Sequence, residues 1–310
     1  MYKCFTSQGL KRRILLCAAV NCLSINTISN LRINYFFKLL LKNSKIKNVF
    51  ITFEGHAWER LIIINCKINT IKLFAYQHSL LFHLQNSIFI NFQSKFKPDF
   101  IFTSGLYSNT VFNNFGNDEI KIINLGTNRT NEIGSLENFT SNKFNILVIP
   151  EGIDEECDIL FNFCLNLLNI NKNINFIWRF HPISNADFFI KKFNVSKIDN
   201  ITISKGSFEN DISLSNHVLY RGSTAIIKCV NFGLRPIYLK IKNEISIDPL
   251  HNFTSIWKIN ISNEKELNII LSDRTIIQDK TKKDFISSIQ DLYSPIYYKN
   301  LLTIFKNYNE

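Results

Sequence analysis

Short apolar runs, each ended by polar turn residues and separated by amphipathic stretches, dictate a parallel α/β architecture for this chain. Residues 48–53 end in Glu54-Gly55, 72–76 in Gln77-His78, 99–102 in Thr103-Ser104-Gly105, and 121–125 in Gly126. Helical patterns fill the intervals 57–66 and 107–115, and a weaker one covers 79–93. Strand, polar tip and helix in repetition is the signature of parallel strands joined by crossover helices. A polar stretch over 127–143, rich in Asn, Thr, Ser and Gly, reads as an interdomain linker. The alternation then restarts, with strands expected at 144–149, 174–180, 201–204, 217–220 and 236–240. Helices are expected at 154–169, 186–193, 223–232, 264–272 and 282–292. The fold expected is therefore α/β, two Rossmann-like domains facing across a cleft. Residues 1–135 form the first and 136–310 the second, which ends in a helical tail. Only four strands fall in the first half, where such a domain often has five or six, so an incomplete first domain is one expectation.

Composition narrows the partners. The chain carries 36 Lys and Arg against 25 Asp and Glu, a net charge of +11. That favours an anionic partner, whether nucleotide, nucleic acid or membrane surface. Lys and Arg read as dispersed, without a basic stripe interleaved with aromatics, which argues against nucleic acid. Abundant Asn, Ile, Lys and Phe with only 10 Gly, 6 Pro and 1 Met point to AT-rich coding, so part of the Lys excess carries no functional information. The sequons Asn138-Phe-Thr and Asn252-Phe-Thr read as accidents of the same bias. Hydrophobic residues make up 45% of the chain, enough for a sizeable core, which excludes a disordered or disulfide-stapled protein. The 7 cysteines are scattered and include no Cys-x-x-Cys, so buried free thiols in a reducing compartment are expected. No apolar run approaches the roughly 20 residues of a membrane span. Lys11-Arg12-Arg13 before 14–20 mimics a signal peptide, but the apolar run stops at Asn21, and an opening helix or strand is expected instead. The location expected is cytoplasmic.

Two segments carry chemistry. In Leu219-Tyr220-Arg221-Gly222-Ser223-Thr224, a strand runs into a turn and a helix that Gly233 closes. Ser223 and Thr224 would offer hydroxyls and backbone N–H groups at a helix N-terminus, a ready phosphate site, with Arg221 adding a full charge. A plain Ser/Thr helix cap is the simpler alternative. Open α/β sheets bind ligands at the carboxyl ends of their strands, which raises the phosphate reading. In Trp178-Arg179-Phe180-His181-Pro182, Arg179 and His181 alternate with aromatics and so face one side. Either can contact a phosphate, although a strand capped by a solvated His gives the same pattern.

Arg-x-His-Pro at 179–182 followed by Arg-Gly-Ser-Thr at 221–224 resembles the nucleotide-binding half of GT-B glycosyltransferases. The likeness is strongest to enzymes of bacterial capsule and O-antigen (lipopolysaccharide) synthesis, and more distant to the His-Pro sialyltransferases and Kdo transferases. In the first half, Phe53-Glu54-Gly55-His56-Ala57-Trp58-Glu59, Tyr76-Gln77-His78, and Pro98-Asp99 with Thr103-Ser104-Gly105 resemble the corresponding N-terminal domains. The resemblance implies a nucleotide-sugar donor whose phosphates are held by His181, Ser223 and Thr224. It also implies catalysis between the two domains, and a glycan or lipid-linked acceptor with peripheral contact at the inner face of a membrane. Lys228 stands where many such enzymes carry a ribose-binding Glu, so ribose recognition departs from the pattern.

An acceptor hydroxyl needs a base, unless a retaining mechanism avoids one. Glu54, Glu59, His78 and Glu151 are the candidates, with Glu54 first because it ends a strand just before Gly55. Glu54-Gly55 and Glu151-Gly152 each match the acid-acid-Gly motif of the sialyltransferases only in part, since Phe53 and Pro150 replace the first acid. No Asp-x-Asp, His-Glu-x-x-His, Walker or Gly-x-Gly-x-x-Gly pattern occurs. No metal and no cofactor beyond the sugar nucleotide are expected. The function expected is glycosyl transfer. A sugar-nucleotide epimerase on the same fold and a non-catalytic basic nucleic-acid-binding protein are the alternatives.

Overall fold

The computed structural model describes residues 6, 8–83, 85–90, 93–115, 119–129, 134, 144–273, 278–299 and 301–302. The chain divides into two compact units. The first holds the residues up to Ser79, Asn86–Gly126 and the tail from Tyr297; the second holds Leu80–Gln85 and Thr127–Ile296. The division thus falls at Gly126, ahead of the 135 expected from composition, and residue 135 lies outside the described residues, as does most of the expected linker.

The first unit opens with helices α1 (Gly9–Cys22) and α2 (Ile25–Lys42). Then follow β1 (Asn48–Thr52), α3 (Ala57–Ile68), β2 (Lys72–Gln77), β3 (Phe100–Thr103), α4 (Leu106–Asn114) and β4 (Lys121–Asn124). The four strands pair in parallel in the order β1-β2-β3-β4. Their register sets Phe50 opposite Phe74 and Phe74 opposite Phe100. The rings stack at 4.6 and 4.8 Å between centroids. Such cross-strand aromatic pairs contribute about 0.5–1.5 kcal/mol each beyond their buried area.

The helix expected over 79–93 does not form. Residues 80–83 are non-helical, and short 3₁₀ turns follow at Asn86–Phe89 and Ser94–Phe96. Leu80 and Leu81 are neighbours and both buried. The segment divides between the units, Leu80–Gln85 with the second and Asn86 onward with the first, so it has no single face to pack as one helix would.

The second unit contains β5 (Phe144–Ile149), α5 (Asp154–Ile170), β6 (Ile174–Trp178), α6 (Ala186–Lys192), β7 (Ile201–Ile203) and α7 (Phe208–Ser213). It continues with β8 (His217–Tyr220), α8 (Ile226–Asn231), β9 (Arg235–Leu239), β10 (Ile259–Ile261), α9 (Glu264–Ser272) and α10 (Asp279–Ser288). Its sheet order is β10-β9-β8-β5-β6-β7, parallel throughout. Chain order runs outward from β5 in one direction, then from β8 in the other. The switch point lies between those two strands, where Rossmann sheets open a ligand crevice.

The central strands are buried on both faces, which explains their unbroken apolar runs. Helix α5 lays seven side chains into the core, among them Phe161, whose ring stacks on Trp178 at 3.9 Å. Asp154, Glu155 and Glu156 occupy its first turn, where the helix dipole favours negative charge. Two elements were not expected and several boundaries shift, β6 ending at Trp178 and α10 spanning Asp279–Ser288. Strand β10 and helix α7 are three and six residues long, too short to show a period. Helix α8 starts at Ile226, and Ser223 and Thr224 lie in the turn before it. Cys66, Cys157, Cys164 and Cys229 are buried free thiols as expected, but Cys17 and Cys22 are exposed, and Cys4 lies outside the described residues.

Candidate functional site

Each unit gathers its candidate residues at the carboxyl edge of its own sheet. In the first unit the turn after β1 is shaped by Gly55 and Glu59. Gly55 has φ +83°, and a Cβ there would meet the backbone carbon of Ser87 at 2.5 Å, so only glycine fits. The Glu59 carboxylate accepts from the Glu54 N–H at 3.0 Å and from the His56 N–H at 2.7 Å. Glu59 is fully buried. Burial pushes its carboxyl above the usual range, and these amide bonds and the neighbouring His56 pull against that. Glu59 is therefore an organiser of the turn, and its candidacy as a base falls away.

The turn presents the Glu54 carboxylate between two imidazoles. Oε2 lies 3.4 Å from His56 Nε2, and Oε1 lies 3.5 Å from His78 Nε2. The Ser79 hydroxyl also donates to Oε1 and sits 3.4 Å from His78 Nε2. His78 Nδ1 is buried without a partner. Glu54 is about one-quarter exposed on its side chain (23%), so it is open to solvent. The sequence singled out Glu54 and His78; His56 and Ser79 complete the cluster and were missed as members. His56 was quoted only as part of a motif, and the turn that swings it back onto Glu54 could not be read from spacing.

In the second unit, Glu151 follows β5, His181 follows β6, and Arg221 to Thr224 follow β8. They bracket the switch point. A hollow of about 180 Å³ opens there, lined by Ile149, Pro150, Arg179, His181, Phe208 and Ser223 among others. The His181 ring is exposed and takes the Ile183 N–H at Nδ1, 3.4 Å away, which leaves Nε2 toward solvent. Arg179 is held rather than free. One Nη contacts Asp211 at 2.6 Å, Ser204 at 3.1 Å and the Gly206 carbonyl at 3.1 Å. Its guanidinium also lies over the Phe208 ring, 5.2 Å from the centroid. It lends charge to the wall of the hollow while anchoring the loop before α7.

Arg221 departs further from expectation. Its side chain is only 3% exposed, and its guanidinium bonds Glu156 at 2.6 Å, Glu244 at 2.7 Å and the Leu239 carbonyl at 3.0 Å. Burial by itself would lower its pKa, but the two carboxylates hold it above the usual value. It braces the turn from behind and presents no donor to the hollow. Gly222 is needed for a different reason. A Cβ there would stand 1.8 Å from Glu151 Oε1. That oxygen is buried without a hydrogen-bond partner. Burial raises the Glu151 carboxyl, Glu156 raises it further, and Arg221 opposes both. Ser223 and Thr224 remain half-buried in the turn, with their side chains at the hollow and its neighbour.

A second hollow of about 390 Å³ adjoins the first and shares Phe208 and Ala225 with it. Asn128, Arg129, Thr224, Lys228 and Tyr293 line it. Arg129 donates to the Tyr293 hydroxyl at 2.9 Å. Lys228, at the position where a ribose-binding Glu was looked for, ion-pairs with Glu209. Arg129 was missed because it lies in a stretch that composition marks as linker. Among the described residues, no group of three or more His, Cys, Asp or Glu side chains is placed to hold a metal ion.

No protein-family model matches this sequence, and no curated protein matches it. Solved structures do. The S. aureus MnaA–UDP co-structure aligns over 88% of this chain and 78% of its own, with a TM-score of 0.56 at 12% identity. The glycotransferase of kitacinnamycin aligns over 87% and 80%, with a TM-score of 0.54 at 7% identity. Acinetobacter baumannii MurG aligns over 84% and 72%, with a TM-score of 0.51 at 9% identity. These likenesses show the fold. The chain has the two-unit α/β fold of GT-B glycosyltransferases and the epimerases built like them, as its sequence pattern led us to expect.

Proposed function

We propose that this chain is a glycosyltransferase that moves a sugar from a nucleotide-sugar donor to a surface-glycan acceptor. The observation that carries the reading is the hollow at the β5–β8 switch point. It has apolar lining for an uncharged ring, and donors in His181 and Ser223. Thr224, Arg129 and Lys228 line the neighbouring hollow. This is the donor set that a nucleoside diphosphate requires. In the reaction, the acceptor hydroxyl attacks the anomeric carbon, the bond from that carbon to the phosphate oxygen breaks, and its electrons pass to the phosphate. His181 and the 223–224 turn stabilise that growing charge. Glu54 takes the acceptor proton, oriented by His56, His78 and Ser79. The surface-glycan acceptor, and the kinship with capsule and O-antigen enzymes, rest on the Arg-x-His-Pro and Arg-Gly-Ser-Thr motifs.

A second reading, interconversion of two sugar nucleotides, draws on Glu151. A carboxyl group whose pKa burial raises, beside the same turn, is suited to general acid–base work without any acceptor. A thermal-shift panel of CMP, CDP, UDP, GDP and their sugars tests the common ground. A ligand at 100-fold its Kd adds about 2.7 kcal/mol. No shift with any of them refutes both readings. Product analysis with the ligand that binds then separates them. Nucleotide release that depends on an acceptor supports transfer, whereas a new sugar nucleotide formed without one supports epimerisation.

A further inference from the structure

The two opening helices of the first unit are built inside out. On a 3.6-residue turn, Thr27, Asn30, Asn34, Phe37 and Leu41 of α2 share one face. All five are half-buried against the unit. Asn34 Oδ1 accepts from Asn65 of α3 at 2.7 Å, so this largely polar face is the anchored one. The opposite face carries Ile25, Ile28, Tyr35, Phe36 and Leu39, which are 81, 48, 59, 65 and 39% exposed. Helix α1 has no buried residue at all. Arg32 is the one charge within this face, between Ile28 and Phe36, and its long stem lets the charge reach the rim. So large an apolar face left to solvent marks a binding surface.

The charge around that face selects its partner. Lys11, Arg12, Arg13, Arg32, Lys38, Lys42, Lys45 and Lys47 belong to the two helices and the short link to β1, and the first acidic residue of the whole chain is Glu54. With Lys3, nine of the 36 basic residues precede Glu54, which leaves 27 against 25 acidic ones, so most of the net +11 resides in this segment. We propose that α1 and α2 lie flat on an anionic lipid surface, with Tyr35 and Phe36 at the headgroup level and the lysines and arginines on the lipid phosphates. An apolar face with aromatic residues and flanking cations is what an interfacial helix presents. A second copy of this chain is a poor fit, because the segment offers no carboxylate to meet its own cations. A span also fits poorly. Among the described residues no single helix is long and apolar enough to cross a membrane, and only α1 and α2 together, bent by 53°, match one in composition. The Asn34–Asn65 bond ties the middle of α2 to α3, which holds α2 along the unit's surface. This surface is independent of the proposed chemistry, and its test reads lipid rather than sugar.

Full-length protein is sedimented with vesicles of equimolar phosphatidylcholine and phosphatidylglycerol, and with phosphatidylcholine alone. Binding is expected to the anionic vesicles and to be lost at about 1 M salt, where the Debye length falls to ~3 Å. The double variant Lys38→Gln with Lys42→Gln removes two exposed cations, each contributing about five-fold, and should weaken binding roughly 25-fold. A Phe36→Trp variant, at an exposed position where folding is not at stake, should bind like the parent and blue-shift its fluorescence only with anionic vesicles. Equal binding to both vesicle types, or none, overturns the proposal. So does retention that survives high salt and alkaline carbonate, which indicates a span. A blue shift with dimerisation in lipid-free buffer also overturns it, since a second copy would then cover the face.

Discussion

His217 gives the sharpest test of the second unit's packing. It opens β8, paired in register with Ile146 of β5 on one side and Arg235 of β9 on the other. Its Nδ1–H donates to Asn216 Oδ1 at 2.7 Å, and the Phe144 ring meets it edge-on. Burial, with the Arg235 charge adding to it, lowers its pKa from 6.5 to about 3. In the unfolded chain the ring titrates near 6.5. Between those values the unfolded state binds a proton that the folded state refuses. Stability is therefore complete above pH 6.5 and falls as the pH drops through 6.5 toward 3. At 1.36 kcal/mol per unit, the loss between pH 7.5 and pH 5 is about 2 kcal/mol from this one group. A His217→Phe variant keeps ring volume and loses the titration. Urea unfolding at the two pH values, followed by tryptophan fluorescence, gives two stability differences. Carboxylates contribute equally to both, so the parent should lose about 2 kcal/mol more than the variant. Parallel losses would show that His217 is protonated in the fold and refute the argument.

Four further outcomes bear on the site. Glu54→Gln should cut turnover by roughly 100- to 10,000-fold and leave donor affinity nearly intact, because a base acts only as the proton departs; normal turnover would move the base elsewhere, with Glu151 next. His181→Ala should weaken nucleotide binding about ten-fold or more in calorimetric titration, through loss of a charge-assisted hydrogen bond, and unchanged affinity would mean that the phosphates lie elsewhere. Gly222→Ala should displace the Glu151 carboxylate, whose flexible end lies 1.8 Å from the new methyl group, so nucleotide affinity should change while the melting temperature shifts little; a chain that fails to fold would show that the turn itself cannot yield. Arg221→Leu should destabilise the second unit by about 3–5 kcal/mol in denaturant titration, by stranding Glu156; a stable variant that has lost only nucleotide binding would restore Arg221 as a phosphate ligand.

The inner strands were legible because a strand buried on both faces is an unbroken apolar run, and the crossover rule then fixes parallel pairing. Elements that lack a period were not. Strand β10 needs only Ile259 and Ile261 inward, and α7 completes fewer than two turns. Residues 79–93 carried enough apolar positions to imitate a helix, yet the segment divides between the two units, which spacing does not encode. The basic opening segment was also misjudged. Counting charge over the whole chain hid the fact that its first acid is Glu54.

Motif reading placed Arg179, Arg221, His181 and Ser223 at one sheet edge, and the structure puts all four there. It could not distinguish a donor that faces a ligand from one that faces its own scaffold. That distinction is made by acids far away in sequence. Glu156 lies 65 residues before Arg221 and Glu244 lies 23 after it, while Asp211 lies 32 after Arg179. A buried guanidinium costs several kcal/mol unless paired, so a near-fully buried Arg221 had to acquire both carboxylates, and in doing so lost its freedom to bind phosphate. His181 and the 223–224 hydroxyls incur no such cost because they stay partly solvated. Their hydrogen-bonding capacity is available to a ligand for the same reason that the fold does not depend on it. The division between the groups that hold this turn and the groups that can act from it therefore follows from burial, which the order of residues along a motif does not record.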